Sequence, residues 1–432
     1  MPSTQQLKGQ KNFLETNLDG LVFAFFIITR LLAIFFSLPC ITDIGYYLEI
    51  SQDISSQLVP YKNFSFEYPP LAVLPIYFPS LILDTHSFET YYLSFAMLMF
   101  LCDFLCLKLC QNYCRNQLAF SKREIAYMTL LYSFFGLLMF RIIYHRLDLL
   151  VALFFMTSLL FFKSKNQKLS ASFFANSFLG FFYKIIPILN APLAIIFKSN
   201  LSSKGSKEFI FKVAIYSSLF AVTIIATTFL LDHLTDNNFI KNMLFHQERG
   251  IQIESSFAAL LIVKSFLLNQ PLEVIFSYGS VGLKGEIFIE KIAKFLGFFL
   301  LLLFYASVFF IFLEKKIRNK KFNISEEIFL ESTLISILLF VAFQRVLSTQ
   351  FFIWLIPILA IFLAKNRSPK LLVIFSFLFL LTFLIFSYYP SLFNQEPILL
   401  TMICVRNIVL MILTCCLTSN FLSKLRHKND RK

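Results

Sequence analysis

Apolar runs long enough to cross a bilayer recur from one end of this 432-residue chain to the other. A spanning helix needs about 20 apolar residues to traverse about 30 Å of hydrocarbon. Inside lipid every backbone N–H and C=O must find a partner within the protein, which leaves helices or closed barrels. The runs here are continuous rather than alternating, and that excludes a barrel. Hydrophobic residues make up 57% of the chain and charged ones 15%, against about 25% charged in soluble domains. The chain therefore reads as an all-α, polytopic, multi-pass membrane protein with no room for a large soluble domain. Its 58 phenylalanines are read as lipid-facing and packing residues.

The net charge of +14 is not a nucleic-acid signal, because the basic residues sit in short segments between apolar runs. That is the pattern of cytoplasmic loops under the positive-inside rule. Residues 1–20 are expected to be a cytoplasmic N-terminus, 21–420 the membrane domain and 421–432 a basic cytoplasmic tail. The first run, 21–38, is too long for a signal-peptide core and contains Arg30. Charge then sorts the loops. Segments 40–89, 143–148, 232–285 and 344–350 fall outside, and the Lys315 to Lys321 segment falls inside. About twelve spans result. The apolar stretch 170–197, interrupted by Lys184 and Pro187, reads as two short spans meeting near Lys184. The stretch 71–83, with Pro75 and Pro79, reads as an interfacial or re-entrant helix, and 256–268 as a helix on the outer surface. Cys102, Cys106, Cys110 and Cys114 share one helical face and read as small packing residues.

The segment from Asn63 to Ala72, NFSFEYPPLA, closes the first external loop. Tandem prolines cannot sit inside a regular helix, so it makes a rigid bend at the membrane surface. It carries Glu67 and Tyr68. The loop as a whole holds Asp43, Glu49, Asp53 and Glu67 against Lys62 alone. Acids and stacking rings on a membrane scaffold suit a polyhydroxylated substrate better than an ion. Further polar segments are expected on the same side: His145, Arg146 and Asp148; Lys184, deep in an apolar stretch; His246, Arg249 and Glu254; and Arg345 to Gln350, followed by Trp354. Together they offer carboxylates for a base, cations for a phosphate and aromatics for stacking. Simpler roles exist for each: a loop acid or helix cap for Asp43, a turn hydrogen bond for Glu67, a cap for Asp148, a headgroup anchor for Arg345. An intramembrane lysine is harder to dismiss, because it is costly unless it snorkels or is paired.

The runs YKNFSFEYPPLAVLPIYFP, RLDLLVALFF, GFFYKIIPILNAPLAII, FHQERGIQIESSFAALL and RVLSTQFFIWLIPILAI resemble, in that order, glycosyltransferase family 87. This is a group of GT-C-fold mannosyltransferases that depend on polyprenyl-phosphate mannose. The resemblance implies a GT-C helical bundle in the plasma membrane. It implies an inverting transfer on the outer face, from a polyprenyl-phosphate sugar to a lipid- or glycan-linked acceptor. By the same resemblance Asp43 is the general base. Glu67, Tyr68, Asp148, Lys184, His246, Arg249, Glu254, Arg345 and Gln350, from the polar segments, are the candidate substrate-binding residues. A paired Asp-Asp or Asp-x-Asp, present in some GT-C relatives, is absent; a divalent metal is conceivable but has no motif behind it, and no cofactor is assigned. A transporter or flippase of lipid-linked or polar solutes would share this composition but should show inverted repeats. A polysaccharide polymerase or ligase should carry a large late external loop.

Overall fold

The computed structural model describes residues 4–36, 43–82, 87–163, 170–244, 249–277, 279–285, 287–318 and 324–427, the side chains of 4–17 and 277 excepted. In chain order the helices are α1 (Thr4–Phe36), α2 (Ile44–Ser55), α3 (Val73–Ile82), α4 (Phe88–Asn116), α5 (Lys122–Leu138) and α6 (Asp148–Phe161). They continue with α7 (Ala171–Lys184), α8 (Asn190–Ser202), α9 (Ser206–Leu234), α10 (Phe239–Leu244) and α11 (Ser256–Leu268). The last are α12 (Ile287–Ile317), α13 (Glu326–Phe343), α14 (Phe351–Asn366), α15 (Pro369–Ser387) and α16 (Pro397–His427). Among the described residues six helices are long and apolar enough to cross a membrane, by length and composition: the Leu18–Phe36 part of α1, α4, α9, α12, α15 and α16. Other helices on segments expected to span are shorter or more charged. Helix α1 runs unbroken from Thr4, so the expected boundary at residue 20 falls inside a helix.

Serine recurs at the helix starts for a simple reason. The first N–H groups of a helix lack intrahelical partners, and a serine hydroxyl can accept from one of them. Ser87, Ser170, Ser255, Ser325 and Ser368 do this. Ser121 forms a reciprocal capping box with Glu124.

Helices α13 and α14 are apolar on every side and almost wholly buried, as an interior helix should be. Around them α5 packs on α1 and α14, α6 on α4 and α14, and α16 on α13 and α15. Helix α9 is equally apolar, but Phe209 is its only buried residue, so nearly all of its apolar surface is left uncovered. Pro79 lies inside α3 and does not break it. The chain enters α3 through a tight turn at Pro70–Ala72, and Pro75 falls in the first helical turn, where a missing N–H costs nothing. One feature was not expected of an all-α chain. A small antiparallel sheet, in the order β1-β3-β2, joins β1 (Ile251–Gln252), β2 (Val274–Ser277) and β3 (Ser280–Leu283).

The two ends of the bundle differ. At one end Tyr113 donates to the Glu326 carbonyl at 2.9 Å, Lys315 to the Leu425 carbonyl at 2.5 Å, and Lys424 to Glu331 at 2.7 Å. These are the basic segments expected inside. The opposite ends of α4 and α13 lead to the polar segments expected outside.

Candidate active site

Asp43 stands at the head of α2 but does not cap it; its side chain makes no capping bond. Its Oδ2 instead forms an ion pair with Arg146 and accepts from the Tyr68 hydroxyl at 3.2 Å. Oδ1 makes no hydrogen bond or ion pair among the described residues, and the side chain is 32% exposed. A carboxylate anchored through one oxygen, with the other open, is a site for a donor from outside the protein.

Tyr68 is held by the proline bend. Pro69 is extended at φ −62° and ψ 159°. The Tyr61 hydroxyl donates to the Tyr68 carbonyl at 2.5 Å, and the Tyr47 and Tyr68 hydroxyls lie 3.3 Å apart. Glu67, next in the bend, meets Arg249 at 3.4 Å. Burial pushes the Glu67 carboxyl above its usual value, and Arg249 offsets part of that rise. The Arg249 Nε is buried with no hydrogen-bond partner among the described residues. The Arg146 Nε is in the same state, and burial brings the Arg146 guanidinium down to about 10.

Lys184 ends α7, where Ile185 takes φ 55° and ψ −48°. A β-branched residue seldom adopts positive φ, and such strain collects at functional sites. The break turns the Lys184 ammonium onto Asp148 Oδ1 at 2.8 Å. Trp354 Nε1 donates to the same oxygen at 2.6 Å. The ammonium also lies about 6 Å from the ring centres of Tyr68 and Trp354. Asp148 is fully buried, and its Oδ2 finds no hydrogen-bond partner among the described residues. Lys184 is thus paired with an internal acid, the simpler of its two roles, yet that acid is only half satisfied.

The later segments close the site. Glu254 is buried and accepts from Thr349 at 2.7 Å and from Gln252 at 3.2 Å. Burial raises its carboxyl, which Arg406, Thr349 and Arg146 partly offset. Arg345 meets the Gln252 N–H through its own backbone carbonyl at 3.0 Å. Gln350 precedes α14, and its Oε1 is buried with no hydrogen-bond partner among the described residues. Tyr389, pushed up to about 12 by burial, accepts from the Val281 N–H at 3.3 Å. His246 lies outside the described residues.

Direct contacts thus join Asp43 to Tyr68, Asp148 to Lys184 and Glu67 to Arg249, with the Tyr68 ring about 6 Å from Lys184, while Glu254, Arg345 and Gln350 lie on the later segments. Arg146 and Trp354 were noticed in the sequence but given no role, and both touch site carboxylates. Arg406 was missed altogether, although an arginine in an apolar run is itself a signal. Among the described residues no group of three or more His, Cys, Asp or Glu is placed to hold a metal ion.

No family model matches the chain, and no curated protein does. The resemblance to family 87 thus rests on the five quoted runs. Among solved structures, the crystal structure of ArnT from Cupriavidus metallidurans in the apo state aligns with 94% of this chain and 77% of that one. Its identity is 15% and its TM-score 0.48. The structure of the same protein bound to undecaprenyl phosphate aligns over 93% and 76%, with 14% identity and a TM-score of 0.45.

Proposed function

We propose that this chain is a membrane glycosyltransferase of GT-C type, akin to family 87. It moves a hexose, mannose by the resemblance, from a polyprenyl-phosphate donor to a lipid- or glycan-linked acceptor on the outer face of the plasma membrane. The observation that carries this reading is Asp43: a carboxylate whose side chain caps no helix and which is held on one oxygen by Arg146 and Tyr68, with no hydrogen bond on the other among the described residues.

The chemistry needs few parts. An acceptor hydroxyl holds its proton at neutral pH, so a positioned carboxylate helps by taking it as the new bond forms. Asp43 Oδ1 is the acceptor of that proton. The leaving lipid phosphate gains charge in the transition state, and cations in a partly dry site stabilise it. Arg249 is the best placed, since its contact to Glu67 is long and its Nε is unused. Lys184 contributes less, because Asp148 already neutralises it. Tyr68 offers a face for the sugar, while Trp354, fully buried and stacked on Phe351, acts only through its hydrogen bond to Asp148. One displacement at the anomeric carbon inverts it, so a β-linked donor gives an α-mannoside.

The test supplies the purified protein with radiolabelled polyprenyl-phosphate sugars, one at a time, and membrane lipid extract. Transfer from the mannose donor into an acceptor fraction is expected. Transfer from none of them would overturn the reading.

A further inference from the structure

Arg406 and Asn407 lie within the apolar helix α16, and both are fully buried. A guanidinium there is costly unless paired. The Arg406 Nη2 donates to the Glu254 carbonyl at 2.6 Å, and the Asn407 Nδ2 donates to the same carbonyl at 2.9 Å. The Arg406 Nη1 lies 3.9 Å from Glu254 Oε1, the oxygen that also accepts from Thr349. This node ties together three segments: the run from Arg249 to Ser255, the loop before α14 that leads to Trp354, and α16. Arg146 lies within electrostatic reach of Asp148 first and of Glu254 as well. Arg146 touches Asp43, and Asp148 and Glu254 compete for it; Arg406 holds the Glu254 backbone carbonyl and lies 3.9 Å from its carboxylate.

We propose that Arg406 is a positioning residue for the transfer site. By clamping and neutralising Glu254 it leaves Arg146 to Asp43 and fixes the segment that carries Arg249. It touches no reacting atom and acts through Glu254 and Arg146. The proposal rests on the glycosyl-transfer reading and adds a residue to it.

Two measurements test it. The first follows transfer from radiolabelled polyprenyl-phosphate mannose as a function of pH. Without Arg406, Glu254 recruits Arg146 away from Asp43. Arg406→Met should lose about 10²-fold in rate, the order of effect that a displaced site costs, with a shifted pH profile. Arg406→Lys should recover part of the rate, and adding Glu254→Gln to Arg406→Met should return the profile to its wild-type position. A profile for Arg406→Met that superimposes on wild type, or a double variant no closer to it, would overturn the proposal. The second measurement needs no activity. The change in melting temperature on Asp43→Asn should vanish in the Arg406→Met background and reappear when Glu254→Gln is added. An equal change in all three backgrounds would overturn the positioning role. A wild-type protein that transfers no sugar would contradict the transfer reading, and the thermal comparison would still decide the role of Arg406.

Discussion

Two of the buried ion pairs among the described residues are built differently. In the first, Arg30 of α1 meets Asp103 of α4 at 2.7 Å. Tyr144 donates to the same Asp103 oxygen at 2.8 Å, and Tyr132 donates to the other at 2.5 Å. Arg30 Nη1 donates to the Ser133 carbonyl and to Thr29, Nη2 donates to the Tyr132 carbonyl at 3.5 Å, and the guanidinium stacks over Phe26 at 4.7 Å. In the second pair, Lys184 and Asp148 meet through one oxygen, and the other has no hydrogen-bond partner among the described residues. A saturated pair is a fastener, because every desolvated lone pair has been compensated. An unsaturated one keeps a desolvated polar atom that the fold itself does not use. On the proposed reading, the difference separates structural charge from site charge in a chain where both sit among apolar residues.

The comparison can be broken first at the saturated pair. Arg30→Met strands a buried Asp103 and should cost about 3–5 kcal/mol. The melting temperature of the detergent-purified protein should fall, while donor affinity of the surviving folded fraction stays at the wild-type value. Gly136→Ala attacks the same pair from the side. A Cβ there would collide with the Arg30 guanidinium, and overpacking of this kind costs about 1–3 kcal/mol. Thermal unfolding reads it directly.

Lys184→Met should act on both properties. Asp148 keeps Trp354 but loses its cation, a cost of about 1–3 kcal/mol, and donor binding should weaken. Unaltered donor affinity with a lowered melting temperature would make Lys184 a second fastener and erase the distinction.

The smallest effect belongs to Glu67. Its folded-state carboxyl titrates above the ordinary value because of burial. The folded protein therefore holds the proton longer than the unfolded chain, and the Glu67 contribution to stability grows as pH falls through that window and is lost as pH rises through it. Protonation also releases Arg249 for phosphate. Donor binding should tighten as pH falls through the same window, and Glu67→Gln should remove that dependence. Donor titrations of both proteins across the window check it.

Much of this was legible in the sequence, and the reason is lipid. Long apolar runs marked where helices form, and the polar segments between them supply the residues that meet at the site. The break at Lys184 was visible because an ammonium and Pro187 interrupt the same stretch. The partners were not visible. Asp43 meets Arg146, and Glu254 meets Arg406, across distances in sequence that no local pattern encodes. Asp103 and Arg406 could have been suspected by the rule that singled out Lys184, since each is an ionisable residue in an apolar run. Glu254 reads as a substrate ligand in sequence because it stands in a polar segment, but its carbonyl and carboxylate are both taken by the protein. The short sheet escaped notice because β1 has two residues and its pairing with β3 lies some thirty positions away.

The central claim is that Asp43 takes the acceptor proton, and the initial rate of sugar transfer by Asp43→Asn tests it most directly. The amide keeps the shape of the side chain but cannot accept the proton as a carboxylate does. The rate per folded, membrane-inserted protein should fall by about 10²–10⁴-fold. A variant that retains more than about half of the wild-type rate would contradict the claim and move the search for the base to Glu67.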